Sequence, residues 1–208
     1  MFKVYDISMT IEKGMPVWGN HDDKQPEINS QPTSPDGVNE SRIDMDVHCG
    51  THVDAPLHML PEDGSTIETI GLEELVGNAR VLDFTDVNDS ITREDLEKHG
   101  LQKGEFILVK TKNSFTDSFE SDFVFLREDG ARYLVEVGVR GIGTDGLGIE
   151  RSQAEYPTHR TLFRNNVIIV EGLRLKEVPP GSYFMVIAPL KLTGIEAAPA
   201  RALLIGNG

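Results

Sequence analysis

The chain has 208 residues, a length typical of one domain, and 38% of them are hydrophobic. Its 34 acidic and 20 basic residues give a formal net charge of -14 at pH 7. This charge argues against nucleic acids and anionic membranes as partners, because both are bound through basic patches. The single cysteine, Cys49, excludes an intramolecular disulfide framework. Neither a signal-peptide pattern nor an apolar run of membrane-spanning length is recognisable, so we expect a cytoplasmic protein.

Strands dominate the predicted secondary structure, and short helices lie between them. A long segment rich in Pro, Gly, Asn and Asp, residues 14–39, is typical of a functional loop. Thr92 followed by Asp95 predicts a capped helix start. The predicted elements, in chain order, are strands 2–7 and 42–48, helix 67–76, strand 79–84, helix 92–100, strand 105–111, helix 127–137, and strands 139–144, 167–170, 183–188 and 201–205. These elements predict one α/β domain over residues 1–208, built on a mixed sheet.

The densest group of chemically reactive side chains lies in residues 48–58, which read His-Cys-Gly-Thr-His-Val-Asp-Ala-Pro-Leu-His. Pro56 lacks an amide hydrogen and disfavours a regular helix in this region. Alternate side chains share a face in an extended chain, so we expect His48, His52 and Asp54 to converge at a strand end. Two imidazoles and a carboxylate suit zinc, and they also suit manganese or iron. The alternative is that these histidines cap the strand or lie at the surface.

A second group of candidate ligands lies further along the chain. His159 follows Pro-Thr, and Glu171 directly follows a run of four β-forming residues. A carboxylate near the core needs a partner, because an unpaired buried charge is strongly destabilising. A salt bridge with Arg174, Lys191 or Arg201 would satisfy Glu171, and metal ligation would satisfy it equally well.

Two further residues near these groups have open roles. Cys49 is a possible soft metal ligand or nucleophile, but in an extended chain it faces away from His48 and His52. We therefore expect an inert buried thiol. Asp145 either orients a ligand histidine from behind or supplies turn chemistry before Gly146.

The pattern H-x-G-T-H-x-D-x-P-x-H, which begins at His48 and ends at His58, resembles the signature of the cyclase superfamily of metal hydrolases. That superfamily includes bacterial kynurenine formamidases and isatin hydrolases. Similar segments also occur at residues 5–8, 171–175, 189–192 and 198–202. The resemblance therefore spans nearly the whole chain, and it is weakest around residues 19–40 and 112–126.

The resemblance implies a swivelling β/β/α fold and a homodimer or higher homo-oligomer. It also implies one or two divalent metal ions per chain, with zinc preferred and manganese as the alternative. Its metal ligands would be His48, His52 and Asp54, with Asp54 bridging two ions. The further ligands of a two-metal site would be His159 and Glu171.

Two other positions match functional residues of the family. The last histidine of the signature, His58, would be the acid/base group, and Trp18, the sole tryptophan, would line the substrate pocket. The turn at Trp18-Gly19-Asn20 departs from the Trp-Pro-Gly-like turn of many formamidases. This departure bears on the substrate rather than on the chemistry.

These observations predict a metal-dependent amide hydrolase. A metal ion lowers the pKa of the water that it binds from about 15.7 toward 7, and His58 would pass a proton to the leaving nitrogen. The predicted reaction converts the aryl formamide N-formylkynurenine to kynurenine and formate, a step of tryptophan catabolism. One alternative is hydrolysis of a cyclic amide, as in isatin hydrolases, and another is a non-catalytic metal-binding protein that retains the fold. A serine mechanism is disfavoured because the chain has no G-x-S-x-G motif.

Overall fold

A computed structural model of the chain describes residues 1–30, 36–62 and 64–207. Residues 31–35 of the predicted loop therefore lie outside the described residues. The strands are β1 (Phe2–Asp6), β2 (Glu27–Ser30), β3 (Ser41–Asp44), β4 (His52–Asp54), β5 (Val76–Asp83), β6 (Ser90–Ile91), β7 (Phe106–Lys110), β8 (Phe125–Leu126), β9 (Gly141–Thr144), β10 (Ile168–Glu171), β11 (Gly181–Pro189) and β12 (Ala197–Asn207). The α-helices are α1 (Leu72–Leu75), α2 (Arg93–Glu97), α3 (Glu128–Val137) and α4 (Pro157–Arg164). None of the described helices is long and apolar enough to cross a membrane.

The main sheet closes on itself. Its strands follow the order β12-β11-β5-β7-β9-β10-β4, and β4 pairs back to β12. Strands β5, β7, β9 and β10 run parallel to one another, and the other pairings in the main sheet are antiparallel. Strand β1 pairs antiparallel with residues 203–207, the C-terminal part of β12. The predicted single-domain α/β fold, a mixed sheet with short helices of the swivelling β/β/α type, is thereby confirmed.

Alternation along the parallel strands creates two apolar cores. In β7, Phe106 and Leu108 pack inside the closed sheet, whereas Ile107 and Val109 pack outward against the layer that contains the helices. Gly141 of β9 lies directly against Phe106, and a Cβ atom there would overlap the aromatic ring. The glycine in β9 therefore makes room for the largest side chain of the inner core.

Helices α2, α3 and α4 connect successive parallel strands, and their buried apolar side chains pack in the outer core. Helix α2 begins with the predicted cap: the Thr92 hydroxyl accepts from the Asp95 amide, and the Asp95 carboxylate accepts from the Thr92 amide. Helix α3 ends at Gly138, whose φ of 80° is the left-handed conformation that favours glycine.

Two predicted elements differ from the structure, and one helix of the structure was not predicted. The predicted helix 67–76 is a single 3₁₀ turn followed by the four-residue α1, because Gly71 interrupts the helical run. The predicted strand 42–48 ends at Asp44, and β3 forms an exposed hairpin with β2 instead of entering the main sheet. Helix α4 was not predicted, although Pro157 occupies its first turn, where proline is well tolerated.

Candidate metal centre

Strands β4 and β10 bring three of the predicted ligands together. The two strands are antiparallel neighbours, and Glu171 lies directly opposite His52. Between His52 and Asp54, Val53 faces the inner core, so the two polar side chains share the opposite face. Directly opposite residues on one face are close neighbours in an antiparallel pair. The pairing register thus places His52, Asp54 and Glu171 in one cluster at the end of β10.

His48 joins this cluster from a turn and not from an extended strand. Residues 47–51 form turns and bends, and Gly50 has a φ of 71°. The expectation that alternation in an extended chain aligns positions 48 to 54 was therefore wrong for the first half of the motif. The left-handed glycine reverses the backbone, and the Nδ1 atom of His48 still lies 3.0 Å from Oδ1 of Asp54.

His159 enters the cluster from α4. Its Nε2 atom lies 3.3 Å from Oε1 of Glu171 and 4.0 Å from Oδ2 of Asp54. Its other ring nitrogen, Nδ1, lies 2.6 Å from Oε1 of Glu150. Sequence reasoning missed Glu150, because it lies in no recognisable motif and only the fold brings it behind His159. An imidazole held at one nitrogen by a carboxylate presents the other nitrogen in a fixed direction.

The cluster contains buried polar atoms without hydrogen-bond partners. These are Nε2 of His52 and both carboxylate oxygens of Asp54. The Nε2 atom of His52 lies 3.3 Å from Oδ1 of Asp54 and 3.4 Å from Oε2 of Glu171. Unsatisfied buried polar atoms are costly unless a further group satisfies them. A divalent cation would satisfy all three atoms, and imidazole with carboxylate is a donor set that such ions accept.

Two groups of candidate ligands share Asp54. One consists of His48, Asp54 and His58, and the other of His52, Asp54 and Glu171, and within each group the donor atoms lie within 4.8 Å of one another. The shared carboxylate matches the predicted bridging position. His58 also has a geometry suited to ligation, in addition to the acid/base role expected from the sequence.

The cluster perturbs the pKa values of its members strongly. Burial by itself would lower the pKa of His52, but the carboxylates of Asp54 and Glu171 raise it well above its ordinary value. Burial likewise opposes the charged form of His159, and Glu150 with Glu171 raises its pKa to about 10. Burial would raise the pKa of Asp54, yet His52 and His48 hold it well below its usual range. The carboxylates thus remain ionised and demand positive charge, which either protons or a metal ion can supply.

The salt-bridge alternative for Glu171 is wrong. Its Oε1 atom accepts a hydrogen bond from the Ile149 amide at 2.6 Å, and its remaining close partners are His52 and His159. Arg201 pairs with Asp6 instead. The negative charge of Glu171 is therefore directed into the histidine cluster.

Cys49 and Asp145, whose roles the sequence left open, both make contacts typical of structural residues. Cys49 is buried, its Sγ atom lies 3.4 Å from Sδ of Met15, and burial raises the pKa of the thiol to about 11. Asp145 is buried and accepts hydrogen bonds from Thr111, Asn113 and Ser114. Asp145 thus organises the turn after β7, and the carboxylate that contacts the His159 ring from behind is that of Glu150.

A cavity of about 240 Å³ opens onto the cluster. His58 lines it, with its ring centroid 4.2 Å from that of His48 and 5.7 Å from that of His159. Trp18 forms part of the wall, and its ring contacts Phe119 and Phe123 edge to face at centroid distances of 5.4 and 5.7 Å. Five of the seven predicted site residues line this cavity: Trp18, His48, His58, His159 and Glu171. The other two, His52 and Asp54, are buried behind this wall, in contact with Glu171 and His48.

Comparison with known proteins agrees with this arrangement. Residues 5–151 match the sequence model of the family described as "Putative cyclase". The chain is 30% identical over 204 residues to a kynurenine formamidase of Erythrobacter litoralis, covering 97% of this chain and 93% of that protein. It is 56% identical to a solved structure described as a "predicted metal-dependent hydrolase from Bacillus stearothermophilus", with a TM-score of 0.91 and full coverage of both chains.

A more distant structure shows the same fold. Isatin hydrolase A of Labrenzia aggregata, solved with benzyl benzoate, superposes with a TM-score of 0.86 at 22% identity, covering 100% of this chain and 94% of that chain. The family match extends over more than half of this chain, and the formamidase similarity covers nearly all of it. The chain therefore belongs to the cyclase family.

Proposed function

We propose that this chain is a metal-dependent amide hydrolase that cleaves an aryl formamide, N-formylkynurenine, to formate and kynurenine. The main observation is that buried donor atoms on His52 and Asp54 have no hydrogen-bond partner and lie against His48 and Glu171, which line a cavity. Such atoms fit a divalent cation, and an amide substrate fits the adjoining space. Residues 1–208 then act as one metal hydrolase domain.

The proposed ligands are the five clustered side chains His48, His52, Asp54, His159 and Glu171. Their mixture of imidazole nitrogen and carboxylate oxygen suits zinc, which we propose as the natural ion, ahead of manganese. Asp54 belongs to both candidate ligand groups, which supports room for a second ion. When bound, a divalent ion supplies activation of a water molecule and polarisation of the amide carbonyl.

The protein's own groups supply proton transfer and substrate positioning. His58 lies beside the ligand cluster at the cavity, within reach of a bound amide, and we propose that it passes a proton to the leaving nitrogen. Trp18 offers a flat apolar surface on which an aromatic substrate packs. Phe119 and Phe123 hold the indole ring in place from behind. The cavity therefore places the proton-transfer group His58 and an aromatic surface at Trp18 around the same substrate.

The formamide is favoured over a cyclic amide by the sequence relatives. The kynurenine formamidase similarity extends over 97% of this chain at 30% identity. The similarity to isatin hydrolase A, at 22% identity, concerns the fold alone. His58 at the cavity also weighs against a non-catalytic binding protein, because His52, Asp54 and Glu171 form a candidate ligand group without it.

We further propose that the protein acts in the cytoplasm as a homodimer or a higher homo-oligomer. The oligomer is supported by an exposed apolar surface on the outer side of β1 and β11. Phe2, Val4 and Phe184 are 79%, 58% and 46% exposed. Val4 and Phe184 flank the same β12 residue in register, so they share one face. Light scattering should give a mass of at least two chains, and a monomeric mass would contradict this part of the proposal.

The function is tested on protein purified without chelator and resupplied with zinc or manganese. We expect one to two ions per chain and hydrolysis of N-formylkynurenine with release of formate. Less than about half an ion per chain would contradict the metal site. Turnover of isatin without turnover of any aryl formamide, with metal in place, would favour the cyclic amide instead.

A further inference from the structure

A charged pair lines the same cavity as the metal cluster, and the proposed reaction makes no use of it. Lys24 and Asp46 both border this cavity, and Nζ of Lys24 lies 2.9 Å from Oδ2 of Asp46. Their side chains are 34% and 28% exposed, so both groups are partly shielded and still open to a ligand.

The pair lies close to the ligand cluster. Asp46 precedes His48 by two residues, and its Oδ1 atom accepts a hydrogen bond from the His48 amide at 2.8 Å. Two residues of chain span at most about 7 Å. A substrate whose amide lies at the cluster can therefore reach the pair with its other end.

The remaining cavity wall offers little else for a charged substrate group. Among the described lining residues, Lys24 carries the only Lys or Arg side chain. Two other acids of the lining, Glu150 and Glu171, already engage the histidine cluster. Val17, Trp18 and Leu147 are apolar or aromatic. Positive and negative charge are thus available together at one place in the wall.

Lys24 has capacity beyond its contact with Asp46. An ammonium group has three donors, and the structure gives the Nζ atom of Lys24 one hydrogen bond to a described partner. The formal charge of -14 disfavours approach of an anionic substrate, so a local cation is needed to hold a carboxylate. Asp46 retains acceptor capacity on both oxygens for an ammonium group.

We propose that Lys24 and Asp46 form a subsite for a zwitterionic α-amino acid group at the end of the substrate remote from the amide. Lys24 binds the carboxylate of that group, and Asp46 binds its ammonium. The inference rests on the proposed amide hydrolysis, and it makes these two residues determinants of substrate choice. The alternative is that the ion pair only fastens the 3₁₀ turn Asp22–Lys24 to the turn that carries His48.

Two formamides that differ only in the amino acid group distinguish a substrate subsite from a purely structural ion pair. N-formylkynurenine carries the group, and 2-formamidoacetophenone has the same ring and amide without it. Lys24→Met should raise the KM ratio of the first substrate over the second by roughly tenfold, equal to about 1.4 kcal/mol. The effect should appear in KM and not in kcat, because the contact is remote from the reacting bond. Lys24→Arg should retain most of the preference. Lys98→Met, at the exposed residue that follows α2, is the control for loss of one positive charge.

Binding of the two amine products by calorimetry gives a readout independent of turnover. The parent protein should bind kynurenine more tightly than 2-aminoacetophenone, and Lys24→Met should abolish the difference. Equal binding by the parent, or equal losses on both ligands in the variant, would overturn the subsite. A preference for kynurenine without hydrolysis of either formamide would leave the subsite standing and remove the proposed function.

Discussion

Replacement of Glu150 by glutamine should weaken zinc binding without removing a metal ligand. Glu150 is 2% exposed, and its carboxylate accepts four hydrogen bonds. Two come from the amide and Nδ1 of His159, at 2.8 and 2.6 Å, and the others come from Gln153 and Thr158. A glutamine offers one oxygen in place of two, so either His159 or the opposite pair of donors faces an NH₂ group.

The magnitude follows from the bond to His159. A hydrogen bond to a charged group contributes about 1.5–3 kcal/mol. Loss of a group that orients a ligand histidine typically reduces metal affinity 10- to 100-fold, which corresponds to about 1.4–2.7 kcal/mol. The two values agree, and we therefore expect the zinc dissociation constant of Glu150→Gln to rise by one to two orders of magnitude.

Competition with a chromophoric zinc chelator measures this change directly. Glu128→Gln is the matched control, because Glu128 makes an ion pair with Arg132 on the surface of α3. The control should retain its affinity within about twofold. If folded Glu150→Gln bound zinc as tightly as the control, then Glu150 would not act through His159, and the reasoning would be refuted.

Four other substitutions separate binding, catalysis and folding. Asp54→Ala should lose metal and activity together, whereas His58→Ala should retain metal and lose roughly 10²- to 10⁴-fold in kcat; equal metal loss in both variants would make His58 a ligand. Trp18→Ala should raise KM severalfold for an aryl formamide, since aromatic contacts contribute about 0.5–1.5 kcal/mol beyond area. An equal rise for N-formylglycine amide would instead indicate a structural tryptophan. Thr92→Ala should lower the free energy of unfolding by about 1 kcal/mol in urea through loss of the α2 cap, and unchanged stability would contradict that role.

Patterns among residues close together in the sequence predicted many of the secondary-structure elements and the metal-binding motif. The cap at Thr92, the glycine that ends α3 and the alternating strands depend on near neighbours in the chain, and the structure contains them. The motif from His48 to His58 indicated metal chemistry for a similar reason, because its residue types are close together in the sequence. The mixed α/β fold followed from the order of these elements.

Tertiary structure decided the arrangement of the site. The register between β4 and β10 places Glu171 opposite His52, and pairing between strands so far apart in the chain leaves no local pattern. The left-handed Gly50 turns the backbone where alternation predicted a straight strand. Glu150 reaches His159 only because its chain segment packs against the start of α4. The sequence by itself determined which side chains could bind a metal. Only folding determined which donor atoms face one another, because those distances depend on contacts between distant segments.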